Sequence, residues 1–221
     1  MHVLSVSSLK GGVGKTTVTL GLASAAFSRG LRTLVVDFDP QSDVSTGLAV
    51  NPDGYATVAD VLESPKEKTV RSAIAHSGWN EYHEGGSIDL LVAEPSLFAV
   101  AATDRALRAI EEIRRGVSPR LQPLGILINR TQPQSMEHQF RIRELREMFG
   151  PLVLNPQLPE RPSLQQAQGA AKPVHMWPGE ASQEMAGNFD LVLDRVLRSA
   201  GMDAARETRS KPGRTATVVE D

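Results

Sequence analysis

Two lysines, Lys10 and Lys15, bracket a glycine-rich turn that runs straight into two threonines: Lys10, Gly11, Gly12, Val13, Gly14, Lys15, Thr16, Thr17. Glycines let successive backbone N–H groups point inward at an anion, and a helix that opens after them adds the positive end of its dipole. The chemistry open to such residues is phosphate binding. Lys15 can reach the β- and γ-phosphates of a nucleotide, the Thr16 hydroxyl can take Mg2+, and Thr17 can contact the α-phosphate region. The spacing G-x-x-x-x-G-K-[ST] is not met, because the position five before Gly14 is Leu9. One lysine suffices to grip a phosphate. A second could stabilise charge developing on a transferred phosphoryl group, in its own site or across a dimer. The rival reading is a tight turn with two solvated lysines, and the coincidence of strand, glycines, Lys-Thr and helix argues against it.

The flanking elements must hold that turn. "HVLSVSS" (2–8) reads as a strand, "TTVTLGLASAAFSRG" as a helix stopped by Gly30, and "RTLVVDFD" (32–39) as a buried strand ending in Asp37 and Asp39. Together they make a βαβ unit with a right-handed crossover. "ATVADVLESP" predicts a short helix closed by Pro65, "SIDLLVAEP" a third strand, and "AATDRALRAIEEIRR" a helix with Leu107, Ile110 and Ile113 on one side. Residues 64–87 have no clear pattern. "PLGILINR" and "PLVLNPQLP" read as the fourth and fifth strands, with "SMEHQFRIRELREMFG" a helix between them. Ser163 and Gln166 fit an N-terminal capping box. The last helix, about 180–200, should bury Met185, Phe189, Val192, Leu193 and Val196. The expectation is an α/β domain over 1–200, with a mostly parallel sheet and helices on both faces, and a disordered tail over 201–221.

Composition removes other classes. There is no cysteine among 221 residues, so disulfides, thiolate zinc sites and thiolate-held iron–sulfur clusters are excluded. No stretch has the apolar length of a membrane span, and the N-terminus lacks a signal-peptide core, which predicts a cytoplasmic protein without membrane attachment. Net charge is −2. Residues 104–198 nevertheless carry 13 Lys+Arg against 11 Asp+Glu, a weak hint of a polyanion partner.

"KGGVGKTT" followed by "LVVDFDPQSDVSTGL" resembles the ParA/MinD family of deviant-Walker-A ATPases, nearest to ParA-type partition proteins. "PLGILINR" and the "LP" before a small helix support the resemblance, which runs from residue 1 to about 198. It implies a P-loop NTPase-like fold, ATP and Mg2+ as cofactors, and a role for each matching residue. Lys10 is the signature lysine that reaches the partner subunit's ATP in a sandwich homodimer. Gly11, Gly12, Val13, Gly14, Lys15, Thr16 and Thr17 hold the phosphates, with Thr16 on Mg2+. Asp39 positions the attacking water, so Lys10, Lys15 and Asp39 form the catalytic set, and Asp37 is a magnesium-side carboxylate behind the metal's direct ligands. Asn129 hydrogen-bonds adenine and Pro159 packs on the base. Turn or capping roles are the alternatives for Asp37, Asp39 and Asn129.

One family feature is missing. A second apolar strand ending in Asp should hold the metal-bound water, yet the only candidate, "IDLLVAEP", has Asp89 before its apolar run and Glu94 after it. The chain reads as if an early and a late strand were fused, giving fewer strands than the family norm. Three readings compete: a natural deletion with weak or no hydrolysis, recruitment of Glu94, and a gene-assembly artefact; the first and third are favoured, because only position supports Glu94.

Arg141, Arg143, Arg146, Arg195 and Arg198 could contact DNA without sequence preference, as basic residues of C-terminal helices do in ParA-like proteins. Glu144, Glu147, Asp190 and Asp194 interrupt them, so a salt-bridged surface is the rival. His138 and His175 read as surface residues, Trp79 and Trp177 as packing residues, and no Ser/His/Asp arrangement is legible. The reading is an ATP-binding partition protein: an ATP-dependent homodimer that binds DNA at the nucleoid, is stimulated by a ParB-like centromere-binding protein, and hydrolyses ATP weakly if at all. The alternatives are a non-catalytic nucleotide-binding or dimerising module and a MinD-like positioning ATPase.

Overall fold

In the computed structural model the structure describes residues 3–6, 12–38, 43–64, 66–82, 86–93 and 124–199. The expected helix over 101–115, the tail beyond 199, Lys10, Gly11, Asp39 and Glu94 lie outside them.

Helix α1 (Lys15–Ser28) is the axis of the molecule. It is apolar on all sides, which marks a helix buried all round. Leu20, Ala23 and Phe27 face a sheet, with Val35, Ile88, Leu90, Val92 and Trp79. Val18, Leu22, Ala25 and Ala26 face the other way, onto Leu158, Leu164, Met185 and Phe189. The close approach of the last helix depends on Gly21, where an added Cβ would lie 2.2 Å from the Phe189 ring.

The sheet has three strands in the order β1-β3-β2. β1 (Arg32–Val36) runs parallel to β3 (Ser87–Leu91) with Val35 opposite Leu90. β2 (Ile74–His76) is antiparallel to β3. It lies in the segment whose sequence has no clear pattern, and it makes the sheet mixed. Alternation along β3 sends Ile88, Leu90 and Val92 toward α1, and Leu91 toward Val58 and Ala73 of α3 (Val58–Glu63) and α4 (Glu67–Ala73). Helices therefore cover both faces. α3 is the expected short helix, and it starts on a capping box of Thr57 and Asp60. α2 (Asp43–Gly47) follows the aspartate segment.

Several expected elements differ. Residues 3–6 form no strand: Val3 is 85% exposed, and Val6 alone packs, onto the cluster between α1 and the last helix. A strand needs neighbours for its ladder, and among the described residues none pairs there. The fourth and fifth strands shrink to two parallel bridges, Ile126 with Val153 and Thr131 with Pro159. Pro156, which has no N–H to give, interrupts the ladder between them. α5 (Met136–Phe149) connects the two segments, capped by the Ser135 hydroxyl and closed at Gly150 as expected. α6 (Pro162–Gly169) has Arg161 as its N-cap, with no side-chain cap. Ser163 lies inside the helix, so the expected capping box is not made; Pro162, already fixed at a helical φ, begins the helix two residues earlier than Leu164. α7 (Glu180–Ser199) buries Met185, Phe189, Val192 and Leu193, and Val196 partly, as the spacing predicts.

Candidate functional site

The glycine turn opens onto the N-terminus of α1. Gly14 is the N-cap in the left-handed region, φ 88° and ψ 35°, where a side chain would be strained. A Cβ there would also lie 2.5 Å from Asn129 Nδ2. Lys15, Thr16 and Thr17 occupy the first three helical positions. Among the described residues no side chain caps their N–H groups, and the first turn carries no acidic residue. A 14-residue helix thus turns the positive end of its dipole toward the glycine turn.

These residues line a cleft of about 620 Å3 together with Asn129 and Pro159. Gly12, Gly14, Lys15, Thr16, Thr17, Asn129 and Pro159 are therefore brought together. Val13 is not on the lining; its carbonyl accepts a 3.0 Å hydrogen bond from Asn129 Nδ2. Asp37 follows β1 and is buried, its main-chain N–H donating to Leu91 at 3.3 Å; it does not line the cleft.

Sequence reasoning missed Arg130, Glu160 and Asp43, which also line the cleft. Arg130 donates from Nη1 to the Gly12 carbonyl at 2.9 Å. It also pairs with Glu160 Oε1 through Nε and Nη2 at 3.0 and 2.6 Å. Gln132 donates to the other Glu160 oxygen at 3.0 Å. The Gln132 amide and the Arg130 guanidinium hold the Glu160 carboxyl below the usual carboxylate range. The signal for Arg130 and Glu160 lay in adjacency, since they follow Asn129 and Pro159 directly. Asp43 follows the aspartate segment too closely to be told from a helix-start residue.

The cleft suits a phosphorylated ligand: glycine backbone, uncapped amides, one lysine and two hydroxyls converge at one end. Among the described residues no group of three or more His, Cys, Asp or Glu is placed to hold a metal.

Elsewhere the structure corrects the histidine reading. The His175 side chain is 13% exposed and packs between α1 and α7. Its Nδ1 is 2.7 Å from Ser24 Oγ, and its Nε2 is 3.5 Å from Asp190. A Ser/His/Asp arrangement therefore exists, but Ser24 is fully buried in mid-helix and does not line the cleft at the glycine turn. Trp79 packs as expected, edge-on to Phe27 at 6.3 Å.

The chain is similar to known proteins in sequence and in fold. The chain is 28% identical over 214 residues to the chromosome-partitioning ATPase Soj of Thermus thermophilus, covering 77% of this chain and 86% of Soj. It is 24% identical over 233 residues to the chromosome partitioning protein ParA of Caulobacter vibrioides, covering 80% of this chain and 87% of that one. Its fold matches cobyrinic acid a,c-diamide synthase from Mycobacterium smegmatis, solved with an ATP analogue and magnesium, at a TM-score of 0.61, 20% identity and 95% and 97% coverage. It also matches the septum site-determining protein MinD of Pyrococcus horikoshii, solved with Mg-ADP, at a TM-score of 0.60, 22% identity and 87% and 94% coverage. The fold is thus that of the P-loop NTPases, here on a small mixed sheet. A family model described as the CobQ/CobB/MinD/ParA nucleotide binding domain matches residues 4–174, and the chain belongs to that family.

Proposed function

We propose that this chain binds MgATP in the cleft at the head of α1 and acts as a ParA-like partition protein. The observation that carries the reading is the uncapped α1 N-terminus, with Gly14, Lys15, Thr16 and Thr17 facing one cleft. Lys15 would hold the β- and γ-phosphates, Thr16 the Mg2+, and Pro159 would flank the base. Bound MgATP supplies the phosphoryl group and the charge that closes a homodimer. Lys10 would then reach the partner subunit's nucleotide, and Asp39 and Asp37 would serve the water and the metal side.

β3 continues into Val92 and Ala93, both buried, and its one aspartate, Asp89, precedes the apolar run. The sequence has no apolar strand that ends in Asp after Asp39, and slow turnover is the expectation. The same observation favours a second reading, a module that binds ATP and dimerises without hydrolysing it.

DNA contact rests on α5 and α7. Arg146, Arg195 and Arg198 line one groove of about 810 Å3. The acids expected to neutralise α7 are engaged elsewhere: Asp190 and Asp194 both pair with Arg29 of α1. Arg141 is paired with Glu144 and is the weaker candidate. A ParB-like stimulator and a nucleoid location follow from the same reading, by likeness to Soj and ParA. No helix among the described residues is long and apolar enough to cross a membrane.

The test is equilibrium binding of MgATP to the full chain, with Lys15→Ala beside it. Binding by the wild type that falls at least about tenfold in the variant is expected, since one charge-assisted contact is worth that much. Equal binding, or none by either protein, would overturn the reading. Phosphate release measured on the same samples separates the slow ATPase from the non-hydrolysing module.

A further inference from the structure

Arg130 has a left-handed backbone, φ 56°, a conformation that residues with a Cβ adopt rarely and that gathers at functional sites. What the arginine gains there is reach back to the glycine turn. Its Nη1 holds the Gly12 carbonyl at 2.9 Å, and its neighbour Asn129 holds the Val13 carbonyl at 3.0 Å. Two consecutive loop carbonyls are thus taken by two consecutive side chains. In a planar trans peptide the carbonyl of one residue and the N–H of the next point in opposite directions. Fixing the Gly12 carbonyl turns the Val13 N–H away from Arg130. Fixing the Val13 carbonyl likewise turns the Gly14 N–H away from Asn129.

We infer that Arg130, together with Asn129, is a positioning residue of the phosphate loop: the pair captures two successive carbonyls and so aims the Val13 and Gly14 N–H groups at a bound phosphate. Glu160 anchors the arginine through Nε and Nη2, and Gln132 steadies Glu160. The segment that ends at Asn129 and Arg130 is itself fixed by the Thr131–Pro159 bridge. The base side and the phosphate side of the cleft are thereby tied together. Asn129 in this arrangement serves the loop, whatever contact it makes with a base. The inference rests on the nucleotide reading above, and its test keeps the two separable.

Binding of MgATP and of magnesium tripolyphosphate, which has no base, is measured on the full chain and on Arg130→Gly, Asn129→Ala and Lys15→Ala. Arg130→Gly should weaken both ligands by a common factor of about ten. Its thermal midpoint should change little, because relief of the left-handed backbone offsets the loss of an exposed Glu160 pair. A purely structural role would lower stability and binding together. In ligand-free protein the Val13 and Gly14 amide resonances should shift and exchange faster in the variant, which a direct phosphate ligand would not produce. Asn129→Ala should also weaken both ligands alike, whereas a residue that only reads adenine would affect ATP alone. Tripolyphosphate affinity untouched in Arg130→Gly, or unmoved loop amides, would overturn this inference alone. Wild-type protein that binds neither ligand would overturn the nucleotide reading and this inference with it.

Discussion

A protonated His175 would place a cation beside Arg29 in the seam between α1 and α7. Burial, opposed by Asp190 and reinforced by Arg29, holds the imidazole below its ordinary value of 6.5. The folded chain therefore keeps His175 neutral where the unfolded chain takes up a proton. The stability that this contributes is fully present above the ordinary histidine range and is lost as pH falls through and below it. The groups facing the ring are Ser24, Asp190 and Arg29. Thermal midpoints measured at about pH 7.5 and about pH 5.5 should drop for the wild type and drop less for His175→Gln. Parallel curves would show that the imidazole is not the titrating group. The depressed Glu160 carboxyl acts in a separate window: its stabilising effect is present above the carboxylate range and is lost only in stronger acid.

At the scale of the element, α1 is wedged between two hydrophobic clusters, and one missing side chain permits this. Replacing Gly21 by alanine has opposing effects. A helix-interior alanine gains about 0.5–1 kcal/mol over glycine. A Cβ lying 2.2 Å from a fully buried Phe189 ring costs about 1–3 kcal/mol in overpacking. The clash should win, so Gly21→Ala should lower the urea midpoint; a raised midpoint would mean that α7 can slide away from α1. The need for Gly21 is not visible in the sequence, because it comes from an aromatic ring that lies far along the chain. The same distinction governs which elements are legible in the sequence. α1, β1, β3, α3, α5 and α7 carry their own local signals: the Gly30 and Gly150 stops, Pro65, and the apolar spacing of Met185, Phe189 and Val192. β2 has three residues and no periodicity of its own; it exists because Ala75 pairs with Leu90. Residues 3–6 have a strand's composition and no described ladder partner. The phosphate turn is legible because its chemistry is contiguous from Gly12 to Thr17. The Arg130–Glu160 support is not, because it joins residues thirty apart with a side chain on an unusual backbone.

At the scale of the whole molecule, a net charge of −2 says little about DNA, because folding sorts the charges. Asp190 and Asp194 lie on the same helix as Arg195 and Arg198, and by sequence alone they cancel. In the fold the two aspartates turn to Arg29, against α1. Arg195 and Arg198 remain at the groove with Arg146, and neither has an ion pair among the described residues. A groove with no opposing acid can release counterions from a phosphate backbone, and such binding weakens steeply with salt. Each DNA phosphate that goes un-neutralised should reduce the slope of log K against log salt by about 0.9 on duplex DNA. The double variant Arg195→Glu, Arg198→Glu should therefore bind duplex DNA in MgATP more weakly. Its salt slope should be shallower by about 2, while its MgATP affinity is kept because neither residue lines the nucleotide cleft. An unchanged slope would remove α7 from the DNA surface. A slope that changes only when MgATP is present would place the groove under nucleotide control, which a partition protein requires and a simple DNA-binding surface does not.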